Sequence, residues 1–222
     1  MRPCLVYNLG LIDYDKAFEL QERLHKARKA GAISDVLLLL QHPPVFTIGR
    51  SGTANDIIAS EEVLDRENIQ VFRTSRGGEV TYHGPGQLVG YPILHLRQNK
   101  LTVHQYVWNL EEMVMTTLGD FGIESQRVAG RRGVWVGGEK ICSLGLRISS
   151  EVSMHGFSLN VNTDLRYFTY IIPCGITDAT ITSLSRLLGH EVKMKEVEEK
   201  LLRRFSEVFD FELERRERLS CV

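Results

Sequence analysis

The stretch from Arg76 to Ile93 reads R-G-G-E-V-T-Y-H-G-P-G-Q-L-V-G-Y-P-I and constrains the chain more than any other segment. Gly77, Gly78, Gly84 and Gly86 open backbone conformations closed to other residues and let the main chain approach a ligand closely. Arg76, Thr81, Tyr82, His83 and Gln87 put polar groups beside them. The plain alternative is two ordinary turns flanking a strand. The segment lacks the Gly-Lys-Ser/Thr ending of a phosphate-binding P-loop. It also lacks the helix that must open at the last glycine of a dinucleotide fingerprint.

Around this segment the chain reads as α+β. Leu5 to Leu9 is a short strand. Asp13 to Ala30 is a helix, with Ala17, Leu20, Leu24 and Ala27 at three- and four-residue steps and Gly31 to end it. Val36 to Leu40 is a continuous aliphatic run and reads as a buried strand; Pro43-Pro44 break it and Val45 to Ile48 resumes. Ser60 caps a short helix. The Gly-rich segment leads into an extended run, Leu88 to Leu96. Thr102 caps a long helix to about Leu118, with Val103, Val107, Leu110, Val114 and Leu118 as its apolar stripe. Val134 to Ile148 is a hairpin turning at Gly137-Gly138. Phe157 to Val161 is a strand, Lys195 to Phe209 an amphipathic helix, and Phe211 to Leu213 a last short strand. Strands cluster in hairpins rather than alternating strictly with helices, so a mixed β-sheet with packed helices is expected. The 222 residues suit one large domain or two small ones, with the last ~45 residues as a candidate small C-terminal subdomain.

Charge and composition narrow the function classes. Lys and Arg number 27 against 28 Asp and Glu, a net charge of −1, which gives no global attraction to nucleic acid. The longest aliphatic run, Val36 to Leu40, is far short of the ~20 apolar residues of a membrane span. The N-terminus does not resemble a secretory signal. Four cysteines without C-x-x-C spacing point to a reducing compartment, and the cytoplasm is the expected location. The seven histidines show no H-x-H, H-E-x-x-H or Cys/His cluster, so neither metal nor other cofactor is expected.

Three further segments carry chemistry. Lys140 follows the Gly137-Gly138 turn among Ile141, Leu144, Leu146 and Ile148; a lysine near a turn is ordinarily a solvated surface residue, but apolar surroundings can make it a base. Cys174 sits in P-C-G, a bend that can present a thiol to a cleft. Cys142 is two residues from Lys140, so strand alternation puts the two on one face, and on these grounds Cys142 and Cys174 stand level as nucleophiles. His155 to Leu165, H-G-F-S-L-N-V-N-T-D-L, alternates Phe157, Leu159 and Val161 with Ser158, Asn160 and Asn162. It is either a half-exposed edge strand or the polar wall of a cleft.

These blocks, in this order, resemble the lipoyl(octanoyl) transferase family. The matching text is R-G-G-x-x-T-Y-H-G-P-G-Q-L-V-x-Y-P-I at 76–93 and G-x-K-I-x-x-L-G-L-R at 138–147. It continues with H-G-F-S-L-N-V-N-x-D-L at 155–165 and P-C-G at 173–175, and Q-H-P-P-V-F-T-I-G-R at 41–50 also fits. The resemblance spans about residues 5 to 190. It implies an α+β fold similar to the catalytic domains of lipoate- and biotin-protein ligases. It implies transfer of octanoyl from octanoyl-acyl carrier protein to a lysine of lipoyl domains. The acceptors would be the 2-oxoacid dehydrogenase complexes and the glycine cleavage H protein. Cys174 would carry a thioester intermediate, and Lys140 would lower its pKa; this settles the choice against Cys142. Substrate contacts would come from Arg76, Gly77, Gly78, Glu79, Val80, Thr81, Tyr82 and His83. Ser143, Leu144, Gly145, Gly156, Phe157 and Ser158 would complete them.

The chemistry suits these residue types. Acyl transfer from a thioester to an amine divides into two steps through an enzyme thioester. The thiolate is the attacking species, and an ammonium at Lys140 would favour it. In the second step neutral Lys140 could take a proton from the attacking amine. His155 and a backbone N–H are candidate donors to the tetrahedral oxyanion. Gly77, Gly78 and Gly145 would leave room for the acyl chain. The alternatives are an ATP-dependent lipoate–protein ligase, which needs no cysteine nucleophile, and a non-catalytic acyl-carrier binding module. Acidic partners would need a local basic patch, for which Arg127, Arg131 and Arg132 are the candidates.

Overall fold

The computed structural model describes residues 2–172 and 180–217. Two sheets organise them. The larger has eight strands: β1 (Arg2–Leu11), β2 (Asp35–Gln41), β6 (Gln87–Ile93), β7 (Gln126–Val128), β8 (Arg131–Val136), β9 (Glu139–Ser149), β10 (Val152–Asn160) and β11 (Phe211–Arg216). Their spatial order is β11-β1-β2-β6-β10-β9-β8-β7, parallel across β11, β1 and β2 and antiparallel beyond. The smaller sheet pairs β3 (Val45–Ile48) with β4 (Gln70–Arg73) and β5 (Val80–His83). The expected mixed sheet with packed helices is what the chain forms.

The helices follow their sequence signals. α1 (Tyr14–Lys29) buries Ala17, Leu20 and Leu24, and the chain turns away at Gly31 with φ +72°. Its last inward position is Arg28, not Ala27, because Arg28 bonds Asp35 at 2.7 Å. Ser60 caps α2 (Glu61–Arg66). Thr102 caps α3 (Val103–Gly119) in a reciprocal pair with Gln105, which satisfies two N-terminal donors at once. The stripe of α3 is rotated from the expected one. Tyr106, Leu110, Met113, Val114 and Leu118 are buried, whereas Val103, in the first turn, is 54% exposed. A short α4 (Leu184–Leu188) precedes α5 (Met194–Phe209), which buries Val197, Leu201, Leu202, Phe205 and Phe209.

The large sheet is covered on both faces. Leu37, Leu39, Leu88, Cys142, Phe157 and Leu159 pack under α3 and α5, together with Phe211 of β11. Val36, Leu38, Leu40, Val89, Tyr91 and Ile93 meet α1 on the other face. Burial on both faces explains why Val36 to Leu40 is an unbroken aliphatic run. Burying each such side chain is worth about 1.5–3 kcal/mol. The small sheet has its own cluster, built on Phe46, Ile48, Val80, Tyr82 and Phe168. No described helix is long and apolar enough to cross a membrane.

β10 is not an edge strand. It lies between β6 and β9, and all nine of its residues are buried. The hairpin of β8 and β9 turns where expected, with Gly137 at φ +55° and Gly138 at φ +90°, the positive pair that a two-residue hairpin turn requires.

Candidate active site

A break in strand alternation decides which way Lys140 points. Val134 opposes Cys142, but the next residue, Trp135, opposes Lys140, so β9 carries one extra residue at Ile141. Ile141 and Cys142 consequently both enter the core around Val134. Lys140 turns to the other side and lies over Trp135, its Nζ 4.8 Å from the ring centre. The expectation that Lys140 and Cys142 share a face is therefore corrected: the bulge separates them. Cys142 is 1% exposed, and burial pushes its thiol far above the ordinary range, so it remains protonated and inert. Cys4 is likewise buried and free.

Lys140 is held by its backbone from a third direction. Its N–H donates to Thr180 O and its carbonyl accepts from Thr182 N–H, both at 2.9 Å. Cys174, with Pro173 and Gly175, lies outside the described residues, as does Cys221.

Beyond the bulge, β9 and β10 form the floor of a cleft. Ser143 pairs with Ser158, Leu144 with Phe157, Gly145 with Gly156 and Leu146 with His155. The roof is the 76–83 segment, tied down where Gly77 N–H donates to Leu146 O at 2.9 Å. The cleft is open to solvent, and the space between its walls, open solvent included, is about 490 Å³. Arg76, Gly77, Gly78, Val80, Thr81 and His83 line it from above. Ser143, Leu144, Gly145, His155, Gly156, Phe157 and Ser158 line it from below. Two of the named residues are elsewhere. Tyr82 points into the small sheet's core, stacked on Tyr167 at 4.7 Å between ring centres. Glu79 does not line the cleft, but its carbonyl accepts a bond from Arg76.

Glycine at 145 is required by the roof. A β-carbon there would stand 2.9 Å from Arg76 Cδ. Arg76 cannot easily retreat, because its guanidinium bonds Thr47 Oγ1 at 2.9 and 3.1 Å, the Thr47 carbonyl and Glu79 O. The arginine thus pins the Gly-rich loop to the small sheet.

Tyr14 and Tyr91 complete the wall and were not singled out from the sequence. Tyr14 reads as an ordinary helix residue and Tyr91 as one more member of a buried strand; only the packing of α1 over β6 brings them to the cleft. They sit among three imidazoles. Tyr14 lies 6.1 Å from His83, and His42 lies 5.8 Å from His83 and 6.0 Å from Tyr91. His155 lies 6.4 Å from Tyr91 and 5.8 Å from Phe18. Burial holds all three neutral: His42 is pushed down to about 4, His155 to about 3, and His83 well below its usual value. His42 Nδ1 donates to Ile12 O at 2.7 Å, so Nε2 accepts from Tyr91 Oη at 2.8 Å.

His155 was expected at the reacting carbonyl. The strand register sets it opposite Leu146, six residues along β9 from Lys140, or roughly 15–20 Å of strand. Its backbone φ is +59°, a strained value for this residue type, and its Nδ1 has no partner among the described residues.

Comparison with known proteins places this arrangement. The family model described as Lipoyl protein ligase A/B catalytic domain matches residues 13–206. An octanoyltransferase of Solibacter usitatus is 51% identical, with 96% of each chain covered. One from Caldicellulosiruptor saccharolyticus is 49% identical over 90% of this chain and 86% of its own. Among solved structures, the bi-partite lipoate protein ligase of Thermoplasma acidophilum superposes with a TM-score of 0.75 at 15% identity, covering 99% of this chain and 88% of its own. A biotin protein ligase of Aquifex aeolicus gives 0.57 at 19% identity, covering 93% and 70%. At these identities the structural likeness is one of fold.

Proposed function

The chain belongs to the octanoyltransferases of the Lipoyl protein ligase A/B catalytic domain family, and from that premise we propose that it moves an octanoyl group from octanoyl-acyl carrier protein to a lysine of lipoyl domains through a thioester on Cys174. The observation that carries the reading is the cleft under the Gly-rich roof along β9 and β10, whose floor residues Ser143 and Gly145 lie on the same side of β9 as Lys140. The acceptors are lipoyl domains of 2-oxoacid dehydrogenase complexes and the glycine cleavage H protein. The location is the cytoplasm.

In the first step the Cys174 thiolate attacks the thioester carbonyl and forms a tetrahedral oxyanion. That intermediate collapses with loss of the carrier thiolate, which takes up the proton of the Lys140 ammonium and leaves Lys140 neutral for the second step. The Lys140 ammonium stabilises the attacking thiolate by Coulomb attraction. In the second step the target amine attacks the octanoyl-cysteine. Neutral Lys140 accepts the amine's proton, and the Cys174 thiolate leaves as the amide forms. The acyl chain runs from the Lys140 end between Ser143 and Ser158, over Gly145 and Gly156, toward Leu146 and His155. Each buried CH₂ contributes about 0.8 kcal/mol to holding it. On this path His155 meets the tail of the chain, and backbone N–H groups beside Cys174 serve the oxyanion.

The test is the intact mass of the protein after incubation with octanoyl-acyl carrier protein and no nucleotide. An octanoyl adduct that hydroxylamine removes, and that disappears on adding a lipoyl domain, is the expected result. An ATP-dependent ligase would give no adduct and would use free octanoate with ATP. A binding module would transfer nothing under either condition.

A further inference from the structure

Four buried side chains connect the 180–182 segment beside Lys140 to the cleft wall. Asn160, the last residue of β10, gives its Nδ2 to Thr182 O at 3.0 Å and receives Gln87 Nε2 on its Oδ1 at 2.9 Å. Gln87 Nε2 also donates to Tyr82 O at 3.2 Å, and Gln87 Oε1 accepts from His83 Nδ1 at 2.8 Å. Two backbone carbonyls, Thr182 O and Tyr82 O, can only accept, so they fix the orientation of both amides. That leaves the proton of neutral His83 on Nδ1 and a lone pair on Nε2, toward Thr47 Oγ1 at 3.5 Å. At the other end, the Thr182 carbonyl that Asn160 holds belongs to the residue whose N–H bonds Lys140 O. Asn160 is 4% exposed and Gln87 1%, so neither gap could be filled from bulk water.

We propose that Asn160 is a positioning residue for acyl transfer: it locks the 180–182 segment, and with it the backbone of Lys140, at a fixed distance from the acyl slot. Nothing else described here bonds that segment to the polar network of the cleft wall. The amine of Lys140 sits at the end of a long, buried side chain against Trp135, and its placement depends on the backbone that carries it. A misplacement of about 1 Å at a reacting group can cost on the order of 100-fold in rate. The proposal rests on the assignment of Lys140 to acyl transfer.

The test uses Asn160→Ala, Asn160→Asp and Lys140→Ala in the full chain. Octanoyl transfer is followed at several pH values, and circular dichroism reports the fold at each. Asn160→Ala should lower kcat by about 10- to 100-fold while KM for the octanoyl donor stays within about twofold. The aspartate variant separates positioning from bulk. Protonated, it has an O–H to give to Thr182 O and an oxygen to accept from Gln87; ionised, it turns two acceptors on the carbonyl. Burial raises such a carboxyl, so the ratio of Asn160→Asp activity to wild type should be near one at low pH and fall as pH rises toward about 8, with the fold intact. A pH-independent ratio, wild-type kcat in Asn160→Ala, or loss of fold in step with loss of activity would each overturn the proposal. Full turnover in Lys140→Ala would instead overturn the reading of Lys140 on which it stands.

Discussion

Lys140 and Trp135 face each other across the β8–β9 hairpin, the ammonium nitrogen 4.8 Å from the centre of the indole ring. The contact exists because the bulge at Ile141 turns Lys140 out of the core; a regular strand would have kept it with Cys142. Lys140→Arg keeps the charge and the ring contact but removes the base, since arginine is not deprotonated in proteins. The half-reaction that acylates a lipoyl domain should fall about 100-fold or more, with the fold retained. Single-turnover measurement of each half-reaction checks this; near wild-type rates in both would remove the base role.

Gly145, paired with Gly156, lies under the Arg76 side chain, with 2.9 Å between Arg76 Cδ and the place of a β-carbon. Gly145→Ala puts a methyl group against Arg76 Cδ, which its bonds to Thr47 and Glu79 hold in place. Overpacking of this kind costs about 1–3 kcal/mol. The variant should lose octanoyl transfer far more than butanoyl transfer, because a short chain stops before the obstruction. Comparison of kcat/KM for the two donors tests this; an equal loss for both would place Gly145 outside the acyl path.

The buried imidazoles make the fold sensitive to acid. Burial pushes His42 down to about 4 in the folded protein from near 6.5 in the unfolded chain, so the unfolded chain holds more protons between those values. Stability is therefore unaffected above about pH 6.5 and falls as pH drops toward 4, by up to roughly 1.4 kcal/mol per pH unit for each such histidine. His42→Gln removes one of these groups and keeps an acceptor for Tyr91 Oη. Urea unfolding from pH 7 to 5 should show a shallower decline in the variant. Parallel declines would mean that His42 is already charged in the folded protein.

Of the three arginines considered for partner binding, Arg127 is committed elsewhere, bonding Glu111, Glu112 and Trp108 O. Arg131 and Arg132 are exposed, and Arg131 lies 5.8 Å from the centre of the same Trp135 ring that Lys140 covers. A patch that steers an acidic carrier protein weakens as the Debye length falls from about 10 Å at 0.1 M salt to about 3 Å at 1 M. KM for octanoyl-acyl carrier protein should rise over that range, and also in Arg131→Glu with Arg132→Glu. KM for a small octanoyl thioester should stay flat. A flat carrier response would exclude this surface.

Much of the fold was legible because its signals are local. The Thr102–Gln105 cap, the glycine pair at 137–138 and the aliphatic run of β2 each determine structure within a few residues. The cleft lining was legible for another reason: residues that must approach a ligand or one another closely are restricted to small or polar types, which stand out as blocks. What stayed hidden depends on distant packing. The bulge at Ile141 has no mark in the sequence, because an extra apolar residue in a strand looks like any other. Val103 fits the period of α3, but its first turn extends past the core. Tyr14 and Tyr91 meet only because α1 crosses β6. The run of the cleft along β9 and β10, from Ser143 and Ser158 to Gly145 and His155, required the strand register.

Peptide mapping of the trapped acyl-enzyme tests the central claim most directly. Wild type and Cys142→Ala, incubated with octanoyl-acyl carrier protein, quenched in acid and digested, should carry the octanoyl mass on the peptide containing Cys174. Cys174→Ala should carry none and should transfer nothing to a lipoyl domain. An octanoyl group on the peptide containing Cys142, or transfer that survives in Cys174→Ala, would contradict the account.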